Sequence, residues 1–341
     1  MPARKPVASL AEIRAVMKEL PGPDLDAATV AAAREGQLTK PAGALGRLEE
    51  LTSWLATWQG RHPPRLDHPR TAVFAGNHGV AAQGVSAFPS AVTAQMVLNF
   101  QNGGAAVNQL CRTVDADLRV YEMNLDQPTQ DFTAGPAMTD EDCARAFAYG
   151  MMAVEPGIDV LALGEMGIAN TSSASALCAA LFGGSGADWA GPGTGIAGDQ
   201  LRHKAAVIDR ALALHRAAFG DPLEIMRRLG GVELAAISGA VIAARLARIP
   251  VVLDGFACTA AAAVLHAIDR RALDHCLVAH RSAEPGHIKL LERIGKPALL
   301  DLGMRLGEAS GATLALLILK GAVACHTGMA TFAEAGVSGK G

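Results

Sequence analysis

Five segments of the sequence combine ionisable, hydroxyl and glycine residues in patterns that suit chemistry on a small anionic molecule. LGEMGIANTSSASA, at 163–176, ends an apolar run in Gly164 and continues with Glu165, Met166 and Gly167. Asn170, Thr171, Ser172 and Ser173 then open a helical stretch. Free N–H groups at a helix start, with hydroxyls and small residues around them, suit a phosphate or carboxylate. Ordinary N-capping by Asn170 or Thr171 explains the hydroxyls equally well, but it leaves Glu165 unexplained. A phosphate repels that acid unless the acid faces something else, such as ribose hydroxyls.

GPGTGIAGDQLRHKAAV, at 191–207, supplies Gly193, Thr194 and Gly195 and then a helical pattern carrying Lys204. A glycine loop followed by a lysine can seat a phosphate; a solvated surface lysine is the plainer alternative. AHRSAEPGH, at 279–287, concentrates His280, Arg281, Ser282, Glu284 and His287, with Arg281 and Ser282 forming an anion cradle. DLGMRLGEASGATLALLILKG, at 301–321, sets Leu306, Gly307 and Glu308 at the mouth of the most apolar helix. There the helix N-terminus favours a carboxylate and apolar surroundings favour the neutral acid, a balance expected of a general base. A first-turn acid that merely complements the dipole is the alternative. GNHGVAAQGVSAFPSAVTAQM, at 76–96, offers His78 in a glycine loop, with Phe88, Gln95 and Met96 as walls for a flat ring.

The elements that hold these segments follow from periodicity. Apolar stripes predict helices over 10–20, 25–36 and 44–58, and the proline-rich RHPPRLDHPR at 61–70 reads as a boundary. Six β-favouring runs follow, at 71–76, 118–125, 158–164, 249–255, 275–280 and 297–303, each leading through a glycine-containing loop into a helical pattern. That alternation predicts an α/β fold, a doubly wound and mainly parallel sheet of about six strands. A long apolar helix over about 306–325 returns to the N-terminal helices. The expected division is a small helical domain from 1–70 with about 305–341, and a large Rossmann-like domain over 71–304. Ligands of such sheets collect at the carboxyl ends of the strands, where the segments above begin.

Composition removes other classes. Lys plus Arg is 30 against 33 Asp plus Glu, a net charge of −3, so the basic footprint of nucleic-acid binding is missing. Aromatic residues are 4%, too few for base-stacking platforms. The six cysteines form no CxxC pair and sit in no Cys/His cluster, so neither zinc nor a disulfide scaffold is expected. The N-terminus reads as no secretory signal, and the run ATLALLIL at 312–319 is short of the roughly 20 residues a membrane span needs. A cytoplasmic protein without membrane or nucleic-acid partners is expected. No GxGxxG follows the first strand, which argues against an NAD-dependent oxidoreductase.

Together the segments resemble one family, the nicotinate-nucleotide–dimethylbenzimidazole phosphoribosyltransferases of cobalamin lower-ligand assembly. The likeness starts at LTKPAGALGRLEEL (38–51), runs through the 76–96, GEMGIANTSSASA and GPGTGI segments, and continues in GGVELAAISGA (230–240) and VVLDGFACTAAA (251–262). It closes with AHRSAEPGH and MRLGEASGA (304–312). The resemblance implies transfer of the phosphoribosyl group of nicotinate mononucleotide to 5,6-dimethylbenzimidazole, with no cofactor or metal, by a homodimer. It makes Glu308 the catalytic base and places Glu165 and Lys204 in the same site. The GEMGIANTS, GPGTG and HRSAEPG loops then hold the nucleotide, and Phe88, Gln95 and Met96 face the benzimidazole. Ala169 stands where many family members have glycine, a change expected to matter little. A non-catalytic nucleotide- or azole-binding protein of the same fold is the competing reading.

Overall fold

All six expected runs form strands: β1 (Pro69–Ala75), β2 (Asp117–Glu122), β3 (Val160–Met166), β4 (Val251–Leu253), β5 (Cys276–His280) and β6 (Ala298–Leu300). The computed structural model describes residues 9–338. Every strand pairs parallel to its neighbours, in the order β2-β1-β3-β4-β5-β6. The chain leaves β1 for β2 on one side and returns to β3 on the other. This reversal places a crevice at the carboxyl ends of β1 and β3.

Alternation along the strands feeds two apolar layers. Ala72, Phe74, Leu161, Leu163, Val251 and Leu253 point into one. Val73, Val160, Ala162 and Val252 point into the other. Burial on both faces is why these strands read as short continuous apolar runs. The first layer is closed by the helices Asp140–Met151, Asn170–Phe182, Val232–Leu246 and Phe256–Ile268. The second is closed by Arg47–Gln59, Ala106–Val114 and Ser310–Gly328.

The N-terminal helices differ at their ends from the periodicity. The first is Leu10–Met17, capped by Ser9, which accepts the Glu12 N–H. The third begins at Arg47 rather than 44, because Gly43 and Gly46 take positive φ and turn the chain there. The long C-terminal helix packs on Arg47–Gln59, as expected, and also across β3 and β5. At 19 residues and mean hydropathy 1.3 it is long and apolar enough to cross a membrane, which the run at 312–319 had not suggested. Ala312, Ala315, Leu316, Leu319 and Ala322 are spent on the sheet's second layer instead.

Candidate active site

The loops after β1, β3, β4, β5 and β6 enclose a cavity of about 250 Å³ at the strand reversal. Glu165, Met166, Gly167, Asn170, Thr171, Gly193, Thr194, Ser282, Leu306, Gly307 and Phe88 all line it. These residues come from all five segments singled out above. A more open groove of about 580 Å³ lies beyond β2, but its Arg145 and Arg227 are paired with Asp142, Glu224 and Asp140. Unpaired polar groups converge on the smaller cavity.

Glu165 occupies the last turn of β3 and is buried. Asn170, at the first position of its helix, turns its amide nitrogen onto the Glu165 carboxyl. It therefore does not cap the helix; Ala169, in the left-handed region at φ 73°, occupies that position. Burial, reinforced by Asp254 and Glu233 and opposed by Asn170, pushes the Glu165 pKa up to about 8. Near neutral pH it is therefore a protonated acid, which removes the conflict with a phosphate.

Glu308 lies immediately behind the lining residues Leu306 and Gly307, and it precedes the helix rather than standing in its first turn. Its φ is 61° and that of Ala309 is 57°, two successive left-handed residues that are not glycine. Such backbone costs about 1–3 kcal/mol per residue and persists where surrounding contacts enforce it. The enforcing contacts are visible. The Glu308 N–H donates to the Glu165 carbonyl at 3.0 Å. A Cβ on Gly164 would stand 2.1 Å from the Ala309 nitrogen, so only glycine on β3 admits the turn. Gly164 thus shapes the site without lining it. In the competition between helix start and apolar surroundings, burial prevails: it raises the Glu308 pKa to about 7, with Asp254 adding to the shift.

Lys204 is buried, against the surface alternative. Its Nζ donates to Thr171 Oγ1 at 2.8 Å and to the Gly191 carbonyl at 3.0 Å. Burial lowers its pKa to about 8, opposed by Glu284. Glu284 Oε1 in turn accepts the Gly193 N–H at 2.8 Å. The ammonium therefore supports the glycine loop from beneath. Thr194 hydroxyl meets Ser86 Oγ at 3.0 Å, joining that loop to the one bearing Phe88.

Several expected residues sit elsewhere. Arg281 is half exposed and paired with Asp301, outside the cavity. The cation at the wall is Arg305, whose Nη1 donates to the Gly193 carbonyl at 2.9 Å. Gln95 is exposed, and Met96 packs half-buried on the second apolar layer. From that helix Thr93 reaches the site instead, accepting the Ile168 N–H at 3.2 Å. Gly195 lies on the exposed side of its loop. Sequence reasoning gave no individual role to Phe256 or Arg305, which line the cavity, as do Val85 and Ser86 of the stretch expected to face the benzimidazole. Arg305 opens the RLGE sequence at 305–308 and was within reach of the strand-end rule. Among the described residues no group of His, Cys, Asp and Glu is arranged to hold a metal ion.

A doubly wound parallel sheet with buried acids and a lysine-backed glycine loop at its strand reversal has the form of a nucleotide-binding α/β protein. A family profile described as phosphoribosyltransferase matches residues 20–337. Nicotinate-nucleotide–dimethylbenzimidazole phosphoribosyltransferase of Rhizobium etli is 57% identical over 329 residues, covering 96% of this chain and 97% of the relative. The enzyme of that name from Sinorhizobium medicae is 56% identical with the same coverage. The crystal structure of CobT from Thermus thermophilus superposes with a TM-score of 0.86 at 42% identity, covering 92% of this chain and all of the other. The chain belongs to the nicotinate-nucleotide–dimethylbenzimidazole phosphoribosyltransferase family.

Proposed function

We propose that the chain transfers the 5-phosphoribosyl group of nicotinate mononucleotide to 5,6-dimethylbenzimidazole, releasing nicotinate and α-ribazole 5′-phosphate. The observation that carries this reading is a cavity lined by Glu165, by the Lys204-backed Gly193 loop and by Leu306 and Gly307, with Glu308 next in the chain and its N–H bonded to the Glu165 carbonyl. One wall offers loop and helix-start N–H groups to a phosphate, and the other offers acids to the reacting rings.

Nicotinate leaves as a neutral ring. The C1′–N bond breaks and its electron pair returns to the pyridine nitrogen, so no proton is needed on the leaving group. One benzimidazole nitrogen gives its lone pair to C1′ from the opposite face, which inverts β to α. The other nitrogen carries a proton that acidifies as the bond forms, and Glu308 accepts it. A base with a pKa near 7 is matched to that task, and such transfer contributes about 10²–10⁴-fold. Holding the two flat rings in line across C1′ supplies much of the remainder. Glu165, protonated at rest, can donate a hydrogen bond to a ribose oxygen. The Phe88 side of the mouth takes the benzimidazole.

The test is incubation with nicotinate mononucleotide and a panel of azoles, reading product mass and anomeric configuration. Nicotinate release with an α-linked product supports the reading. Binding without turnover would favour the non-catalytic alternative. We also infer a homodimer, supported by the exposed apolar Phe88, Leu302 and Leu306 beside the mouth and measured by sedimentation equilibrium. A cytoplasmic location fits the six unbridged cysteines. The same inference covers a small helical unit from both chain ends, tested by limited proteolysis near 61–70.

A further inference from the structure

Asp254 follows β4 directly and takes no part in the chemistry above. It is wholly buried. Its N–H donates to the Leu163 carbonyl at 3.1 Å, and its Oδ1 accepts the Ala312 N–H at 2.8 Å, in the first turn of the helix behind Glu308. Its Oδ2 has no hydrogen-bond partner. Beside it stands His280, which ends β5 and lines the cavity; its Nε2 is 3.5 Å from Oδ1, and neither ring nitrogen has a hydrogen-bond partner. Gly311 clamps the helix onto the pair, since a Cβ there would stand 2.0 Å from His280 Cδ2 and 2.8 Å from Asp254 Oδ1. Burying a charged carboxylate with an orphaned oxygen is costly, and a neutral side chain could hold the same N–H.

We propose that Asp254, with His280 beside it, is a positioning residue for Glu308: it pins the helix start behind the Glu308–Ala309 turn and sets a fixed negative charge beneath the base. The proposal rests on Glu308 being the proton acceptor. The groups facing Asp254 are Glu165 on β3, Glu308 on the turn, His280 on β5 and Cys258 on the helix Phe256–Ile268. Glu233, from the helix Val232–Leu246, adds negative charge at Glu165. Lys204 and Arg305 are both engaged on the Gly191–Gly193 loop. Like charge disfavours a second carboxylate, so Asp254 acts in the same direction as burial and makes Glu308 hold its proton more firmly.

Asp254→Asn separates the two roles, because asparagine still accepts the Ala312 N–H but carries no charge. The acidic limb of the kcat/KM profile is expected to move to lower pH by about half a unit or more. Maximal turnover should fall by at most about threefold per half unit as the base weakens, with the nucleotide dissociation constant unchanged. A lowered kcat with an unmoved limb would make Asp254 a structural residue only and overturn the proposal, as would a wild-type profile. Should that variant fail to fold, Asp254→Ser carries the test, since serine is a second uncharged acceptor for the Ala312 N–H. The limb again moves to lower pH; an unmoved limb overturns the proposal. Glu308→Gln measured alongside separates the two claims. Wild-type turnover in that variant removes the base itself, whereas an inactive Glu308→Gln with an unmoved Asp254→Asn limb removes only the role of Asp254.

Discussion

Glu165 and Glu308 are both buried acids with raised pKa values at the same strand ends, yet their surroundings differ. Glu165 continues a regular strand, and Asn170 holds its carboxyl. Next to it a carboxylate–histidine pair is closed: Glu233 meets His78 at 2.7 Å, and the other ring nitrogen meets Ser173 Oγ at 3.0 Å. Glu308 rides a left-handed turn, and no hydrogen bond holds its carboxylate among the described residues. The Asp254–His280 pair near it is open, at 3.5 Å with unsatisfied ring nitrogens. The difference fits the two roles proposed for them. A group already claimed by fixed partners can orient a substrate, while a group with no partner is available to take a proton.

The comparison is broken most directly at Glu308. Glu308→Gln is expected to lose about 10²–10⁴-fold in kcat while both substrates still bind, measured by turnover and calorimetry. The same change should stabilise the fold. Because the folded acid titrates near 7 and the unfolded one near 4.5, the folded state bears the cost of a buried charge above pH 7. Glutamine removes up to about 3 kcal/mol there, and the gain disappears as pH falls below the unfolded value. Melting curves at pH 8 and pH 4.5 check the sign.

Lys204→Ala comes next. Losing a buried ammonium with two hydrogen bonds should lower kcat/KM for the nucleotide about 10–100-fold and leave the KM for the azole nearly unchanged. Equal effects on both substrates would reduce Lys204 to packing. Glu165→Gln sharpens the contrast, since glutamine resembles the protonated acid present at neutral pH. Its loss should be smaller than that of Glu308→Gln at pH 7 and shrink above pH 8, where the native residue ionises and loses the proton it donates. A pH-independent deficit would contradict the resting state assigned to Glu165. The smallest effect is expected at Ala169→Gly. Relief of a left-handed alanine should add about 0.5–1 kcal/mol in urea unfolding without changing kcat.

Much of this was legible beforehand. The six strands are short apolar runs buried on both faces, so their positions depend on local composition alone. Glu165 at the end of β3, Gly193 in its glycine loop and Leu306 beyond β6 fell where the strand-end rule puts them. Arg281 did not, because successive residues at a strand end point to opposite sides: His280 faces the cavity and Arg281 faces Asp301. Gln95 fell on the wrong face of its helix, whose buried positions are Thr93, Val97 and Phe100. Asp254 was visible in VVLDG, but no local pattern showed which helix it would meet.

The sequence by itself determined the parallel α/β architecture and which loops carry the acids, because periodicity and glycine placement are local properties of the chain, while its ordered motifs carried the resemblance to the family. Only the tertiary structure decided that Glu308 precedes its helix in a strained turn laid on Gly164, that Lys204 is buried beneath a loop, and that Asp254 holds the first turn of the helix behind Glu308. Those outcomes depend on desolvation and on charges brought together from distant segments, and neither exists until the sheet is assembled.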